Sequence, residues 1–153
     1  MPITDSSPRL AVISDIHGNI RALEAVLADI KTRGADAIVN LGDCVTGPLW
    51  PRETLDLLKS LSLITVRGNH DRLLGDGRWE DLRPVDRFTY AALTDPQREF
   101  LTKLPALVAV EAGILAVHGT PTDDSTCLCE DIYDERLIPA TRDMMLARLG
   151  EHV

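Results

Sequence analysis

Four short polar blocks carry the side chains that could do chemistry in this chain: Asp15-Ile16-His17, Gly42-Asp43, Gly68-Asn69-His70-Asp71 and His118-Gly119. Carboxylates and imidazoles together suit Mn, Fe, Zn, Co or Ni better than Ca or Cu(I). Imidazole is also the side chain best matched to proton transfer near neutral pH. Taken singly, Asp-x-His and Gly-Asp are common, and a glycine before a carboxylate often serves only a turn. Gly68-Asn69-His70-Asp71 is far more specific. Four defined residues in a row should arise by chance on the order of once per 10⁵ to 10⁶ start positions.

These blocks need elements to bring them together, and the surrounding pattern supplies candidates. Residues 9–14 form a short apolar run rich in β-branched side chains, ending at Asp15. Asn19 then offers a helix N-cap, apolar residues recur at helical spacing through Ile30, and Gly34 marks a stop. A second apolar run, 36–41, ends at Gly42-Asp43; a helix is expected over 52–60, with Pro51 near its first turn. A third run, 61–66, ends just before the Gly68 block. Strand, helix, strand, helix, strand at this spacing predicts a parallel α/β sheet, whose sites gather at the carboxyl ends of the strands. Asp15 and His17, two apart at a strand terminus, are expected to point to one side.

Beyond Asp71 the pattern loosens. Gly75, Gly77 and Pro84 suggest a charged loop. Helices are expected over 88–93 and 97–104. A hairpin of runs 107–110 and 113–117 should deliver His118 from a second sheet. Residues 123–134 read as an acidic loop and 139–149 as a helix.

Composition narrows the functional classes. With 153 residues, 44% of them apolar, the chain fits one domain spanning 1–153 with an aliphatic core. A net charge of −8 argues against a stable nucleic-acid complex held by basic patches. An acidic chain that handles phosphate needs a local positive charge, which bound metal supplies. No apolar stretch approaches the ~20 residues of a membrane span, and residues 1–9 contain no apolar leader. Three cysteines, an odd number, suit a reducing cytoplasm. Cys127-x-Cys129 lacks the second pair of a structural zinc site. Cys44 would sit near any metal held by Asp43.

The ordered blocks resemble the calcineurin-like metallophosphoesterase superfamily, whose pattern runs D-x-H, G-D, G-N-H-D/E, H and G-H-x-H. Residues 13–20, Ile-Ser-Asp-Ile-His-Gly-Asn-Ile, look especially like its small prokaryotic phosphodiesterase branch. The resemblance implies an α-β-β-α sandwich with two facing mixed sheets. It also implies a phosphodiesterase or phosphatase that uses two divalent transition metals, manganese foremost, and a metal-bound hydroxide on a small phosphoester or nucleotide. Asp15 and His17 would bind the first metal; Asp43 would bridge both, one carboxylate oxygen to each. Asn69 and His118 would bind the second. His70 would stabilise the transition state or protonate the leaving oxygen, with Asp71 orienting its ring.

The fifth block, G-H-x-H, is missing from the chain. Relative to the family the sequence reads as C-terminally truncated, with an incomplete second sheet whose open edge invites a homodimer. Five of seven expected ligand residues remain. The competing expectation is a non-catalytic relative that binds metal or phosphate without turnover.

Overall fold

The computed structural model describes residues 8–61 and 63–152. Residues 1–7, most of the segment read above as lacking a leader, and Ser62 in the third apolar run lie outside it.

Strands β1 (Leu10–Ile13), β2 (Ala37–Asn40) and β3 (Ile64–Thr65) form a parallel sheet in the order β1-β2-β3. Ile13 pairs with Asn40 and Asn40 with Thr65, so the three strands stop in one row. The first three polar blocks leave that shared edge. Helix α1 (Ile20–Arg33) starts at Asn19, whose side chain accepts the Ala22 N–H at 3.1 Å, and stops at Gly34, whose φ of 67° needs no Cβ. Helix α2 (Pro51–Leu61) has proline in its first turn, as expected.

The Gly68 block is followed by a helix, not by the loop expected around Gly75. Helix α3 spans Asn69–Asp76 and ends at Gly77. Glycine weakens a helix by roughly 1 kcal/mol, but Leu74 is fully buried and α3 packs against α5 (Asp95–Thr102) and α4 (Pro84–Ala92). Tertiary burial outweighs the propensity penalty. Strands β4 (Leu107–Glu111) and β5 (Ile114–Val117) form the expected hairpin.

Two core clusters place the layers. Ile13 packs with Leu23, Leu55, Leu58, Leu74 and Leu101 on the helical side of the sheet. On the other face Val39 and Val66 meet Ala116, with Val108 and Val110 against them. Helices thus cover one face of the parallel sheet and the β4–β5 hairpin covers the other, an α/β layering that carries His118 to the same edge as the first three blocks.

The acidic stretch after Asp123 departs from expectation. Its first part is a loop, but β6 (Glu130–Tyr133) and β7 (Arg136–Pro139) pair as a second hairpin before α6 (Arg142–Leu149). Among the described residues, no helix is long and apolar enough to cross a membrane.

Candidate metal centre

The loops after β1 and β2 are laced together by their backbones. Asp15 N–H donates to Gly42 O at 3.0 Å, His17 N–H to Asp43 O at 3.0 Å and Gly18 N–H to Cys44 O at 3.1 Å. The strand terminus expected at Asp15 and His17 falls earlier, at Ile13. Both lie past the end of β1 with φ of 55° and 49°, and Asp43 has φ 54°. Left-handed backbone costs roughly 1–2 kcal/mol at a non-glycine residue, and such strain persists where surrounding structure over-determines it, often at functional sites.

That backbone aims side chains at one point. Asp43 is 3% exposed. Its Oδ1 accepts the His70 N–H at 3.0 Å, while Oδ2 lies 3.8 Å from His17 Nε2 and 3.6 Å from His118 Nε2. One oxygen of Asp43 therefore faces both imidazoles. Asp15 Oδ1 stands 3.6 Å from His17 Nε2, and Asn69 Oδ1 stands 3.0 Å from His118 Nε2.

Both rings are oriented by main chain. His17 Nδ1 meets Thr46 O and His118 Nδ1 meets Leu41 O, each at 2.8 Å. A carbonyl only accepts, so each Nδ1 carries the proton and each Nε2 turns a lone pair inward. His118 Nε2, Asn69 Oδ1 and Asp43 Oδ2 thus converge on one point. Ligand atoms of Asp15, Asp43 and His118 all fall within 4.8 Å of one another. Converging lone pairs with locked tautomers are what a divalent cation needs, and these residues fit one.

Asp71 does not orient His70. It is fully buried, with Oδ1 accepting Cys44 N–H at 3.0 Å and Oδ2 accepting Gly68 N–H at 3.1 Å. Burial pushes its pKa up to about 6, with the Asp43 charge adding to the rise and the two backbone donors opposing it. The carboxylate pins the Gly42 and Gly68 loops together, and both its oxygens are spent on that task. His70 Nδ1 instead faces Arg83 Nη2 at 3.1 Å and Asp86 Oδ1 at 3.5 Å. Sequence reasoning missed both residues. Pro84 with Asp86 two positions on marks a helix start, but nothing local ties that start to His70.

Cys44, expected near the metals, is buried and takes the Asn40 Nδ2–H at 3.3 Å; burial holds its thiol well above the usual pKa, which does not suit a ligand. The loop after His118 borders the site. Asp124, Ser125, Thr126 and Cys127 line one small cleft with Asp15, Asp43, Asn69 and His118. Arg72 holds that loop through a two-point pair with Asp124, at 2.7 and 2.9 Å.

Comparison with known proteins agrees with this geometry. A crystal structure of a metallophosphoesterase from Sphaerobacter thermophilus superposes with a TM-score of 0.62 at 35% identity, over 78% of this chain and 50% of that one. A hypothetical protein from Pyrococcus horikoshii OT3 shares the fold at a TM-score of 0.71 and 23% identity, over 93% of this chain and 64% of that one. An uncharacterized protein of Methanocaldococcus jannaschii is 52% identical over 62 residues, which are 40% of this chain and 26% of that protein. The chain thus spans from a quarter to under two thirds of the length of these relatives. The family model for calcineurin-like phosphoesterases matches residues 8–147, a span that includes the strained loops, the converging lone pairs and their shared edge, and the chain belongs to that family.

Proposed function

We propose that this chain forms a metal-dependent phosphoester hydrolase site with a dinuclear centre. Asp15 and His17 would hold one ion and Asn69 and His118 the other, with Asp43 shared between them. The observation that carries this reading is Asp43 Oδ2, set between two imidazole Nε2 atoms whose Nδ1 protons are both committed to backbone carbonyls. Two divalent ions held there would lower the pKa of a bound water and neutralise phosphoryl oxygens. Manganese suits the mixed carboxylate, amide and imidazole set.

The chain's own groups do the rest. Asp43 Oδ1 holds the His70 amide, which fixes the start of α3 beside the cluster. The His70 ring meets the His17 ring edge-on, with centroids 5.4 Å apart, and so borders the reacting region. The loop at 124–127 lines the cleft beside His118. A small phosphoester or nucleotide fits so small a cleft. The free cysteines Cys44, Cys127 and Cys129 fit a reducing compartment, which favours the cytoplasm. We also propose a homodimer formed through open strand edges.

The test is hydrolysis of an aryl phosphodiester and an aryl phosphomonoester in Mn²⁺, with metal content measured alongside. Partners one shell out from a metal cost 10- to 100-fold when lost, so Asp43→Asn should lower the rate by at least about 100-fold and reduce bound metal. The preferred substrate separates diesterase from monoesterase. Metal bound without turnover of either ester would sink the hydrolase reading and favour a binding relative.

A further inference from the structure

We infer that Arg83, locked in place by Asp86, is a positioning residue that engages His70 Nδ1 and so turns the Nε2–H of the ring toward substrate. The inference rests on the phosphoesterase reading of the site, and it deepens that reading by naming what positions the His70 ring.

The argument starts from donor chemistry. A guanidinium has five N–H donors, no acceptor, and stays protonated in proteins. Arg83 Nη2 stands 3.1 Å from His70 Nδ1, so Nδ1 must be the acceptor. In the neutral ring the proton then sits on Nε2, which has no partner among the described residues. Asp86 does not compete for Nδ1. Its Oδ1 is 3.5 Å away, beyond hydrogen-bond range, and already accepts the same Arg83 Nη2 at 3.2 Å.

The clamp is built to hold one geometry. Asp86 is fully buried. It receives Arg83 Nε at 2.7 Å, Nη2 at 3.2 Å and the Arg83 backbone N–H at 3.2 Å. Burial acts to raise the Asp86 pKa, but the Arg83 hydrogen bonds and charge outweigh it and hold the carboxyl below its ordinary value. Pro84 fixes the backbone between the two residues at the first turn of α4. The guanidinium plane is therefore set by two points on Asp86 before it reaches His70. Arg83 itself is largely exposed, and an exposed arginine gains little from a carboxylate partner alone. Its added contact is the ring beside the metal ligands.

The consequence is chemical. A neutral imidazole with Nδ1 accepting offers Nε2–H to a phosphoryl or leaving oxygen and strengthens that bond as charge develops. Arg83 adds a fixed positive field behind the ring.

The decisive experiment reads the tautomer directly. Protein labelled with ¹⁵N in the histidine rings, free of metal and again with Zn²⁺, gives a two-bond ¹H–¹⁵N correlation map, and His70→Ala identifies the His70 signals. The wild-type ring should show protonated Nε2 and bare Nδ1. Arg83→Ala should convert this to a mixture of tautomers, with Asp86→Asn intermediate. In turnover, Arg83→Ala should lower kcat on the order of 10- to 100-fold with KM unchanged, since it removes orientation and not binding. Added guanidinium ion should restore part of the loss. Arg83→Lys keeps the charge without the fork; it covers the case in which the alanine variant fails to fold, and should give the same mixed tautomer. A wild-type ring protonated on Nδ1 overturns the inference, as does a folded Arg83 variant with unchanged tautomer and kcat. If the wild-type chain hydrolyses nothing, the ring spectra still decide the clamp, and only the hydrolase reading falls.

Discussion

Asp15 and Asp43 place two carboxylates and three left-handed backbone residues, with His17, within a few ångströms. Without a cation that arrangement is self-repelling, and with one it is paired. Asp15→Asn should therefore raise the Tm of the EDTA-treated chain by about 1–3 °C, the equivalent of about 0.5–1 kcal/mol. It should also abolish the Tm rise that Mn²⁺ gives the wild type, because the ion stabilises only what it binds. A lower Tm in EDTA would contradict the repulsion argument. Asp124 behaves in the opposite sense. The hydrogen bonds from Arg72 hold its pKa below the usual value. A depressed folded pKa means stability that is present above the unfolded-chain value of about 3.9 and lost as pH falls through the folded value. Asp124→Asn should cost about 1 kcal/mol in urea unfolding at neutral pH, and the difference from wild type should vanish in acid. At this scale the residues that converge at the candidate site were legible because each block has a fixed chemistry. Arg83 and Asp86 were not, since their value lies in a contact with His70 thirteen residues back.

The joints between strands and helices set how those residues meet. Gly68 caps α3, and a Cβ there would overlap both Asp43 Oδ1 and the Asp43 backbone nitrogen. Gly68→Ala should push the shared carboxylate off its line between His17 and His118. We expect a stability loss of about 1–3 kcal/mol from overpacking, together with at least tenfold weaker metal binding in a calorimetric titration. Retained metal affinity would mean that the loop relaxes without moving Asp43. The strand ends were readable because apolar β-branched runs stop abruptly at polar blocks. Helix α3 was hidden by Gly75 and Gly77, whose propensity cost is overridden by the burial of Leu74. Strand β3 shrinks to Ile64–Thr65, because only those residues pair with β2. The β6–β7 hairpin gave little signal because it has no core face: Ile132, Tyr133, Leu137 and Ile138 all remain exposed.

At the scale of the whole molecule, that hairpin stands out for its exposed apolar side chains. Two-stranded hairpins are marginal in water unless they pack on something. Here Arg148 ties α6 to the hairpin through Glu130 O at 2.9 Å and Asp131 Oδ2 at 3.1 Å, which holds one end only. Ile132 and Leu137 pair directly across the strands, so they share a face, and they are 72% and 66% exposed. Apolar pairs of this kind beside free strand edges mark contact surfaces. We expect the chain to self-associate through this face, with a mass that rises across the micromolar range in light scattering. Ile132→Lys with Leu137→Lys should return it to monomer while changing stability by no more than about 0.5 kcal/mol, because exposed positions carry little folding energy. Neither Ile132 nor Leu137 lines the cleft that holds Asp43 and His118, so ester hydrolysis per chain should survive the double substitution. A wild-type mass that stays at one chain throughout would remove the dimer. Association that persists in the double variant would move it to another open edge, with β1 and its exposed Val12 next in line.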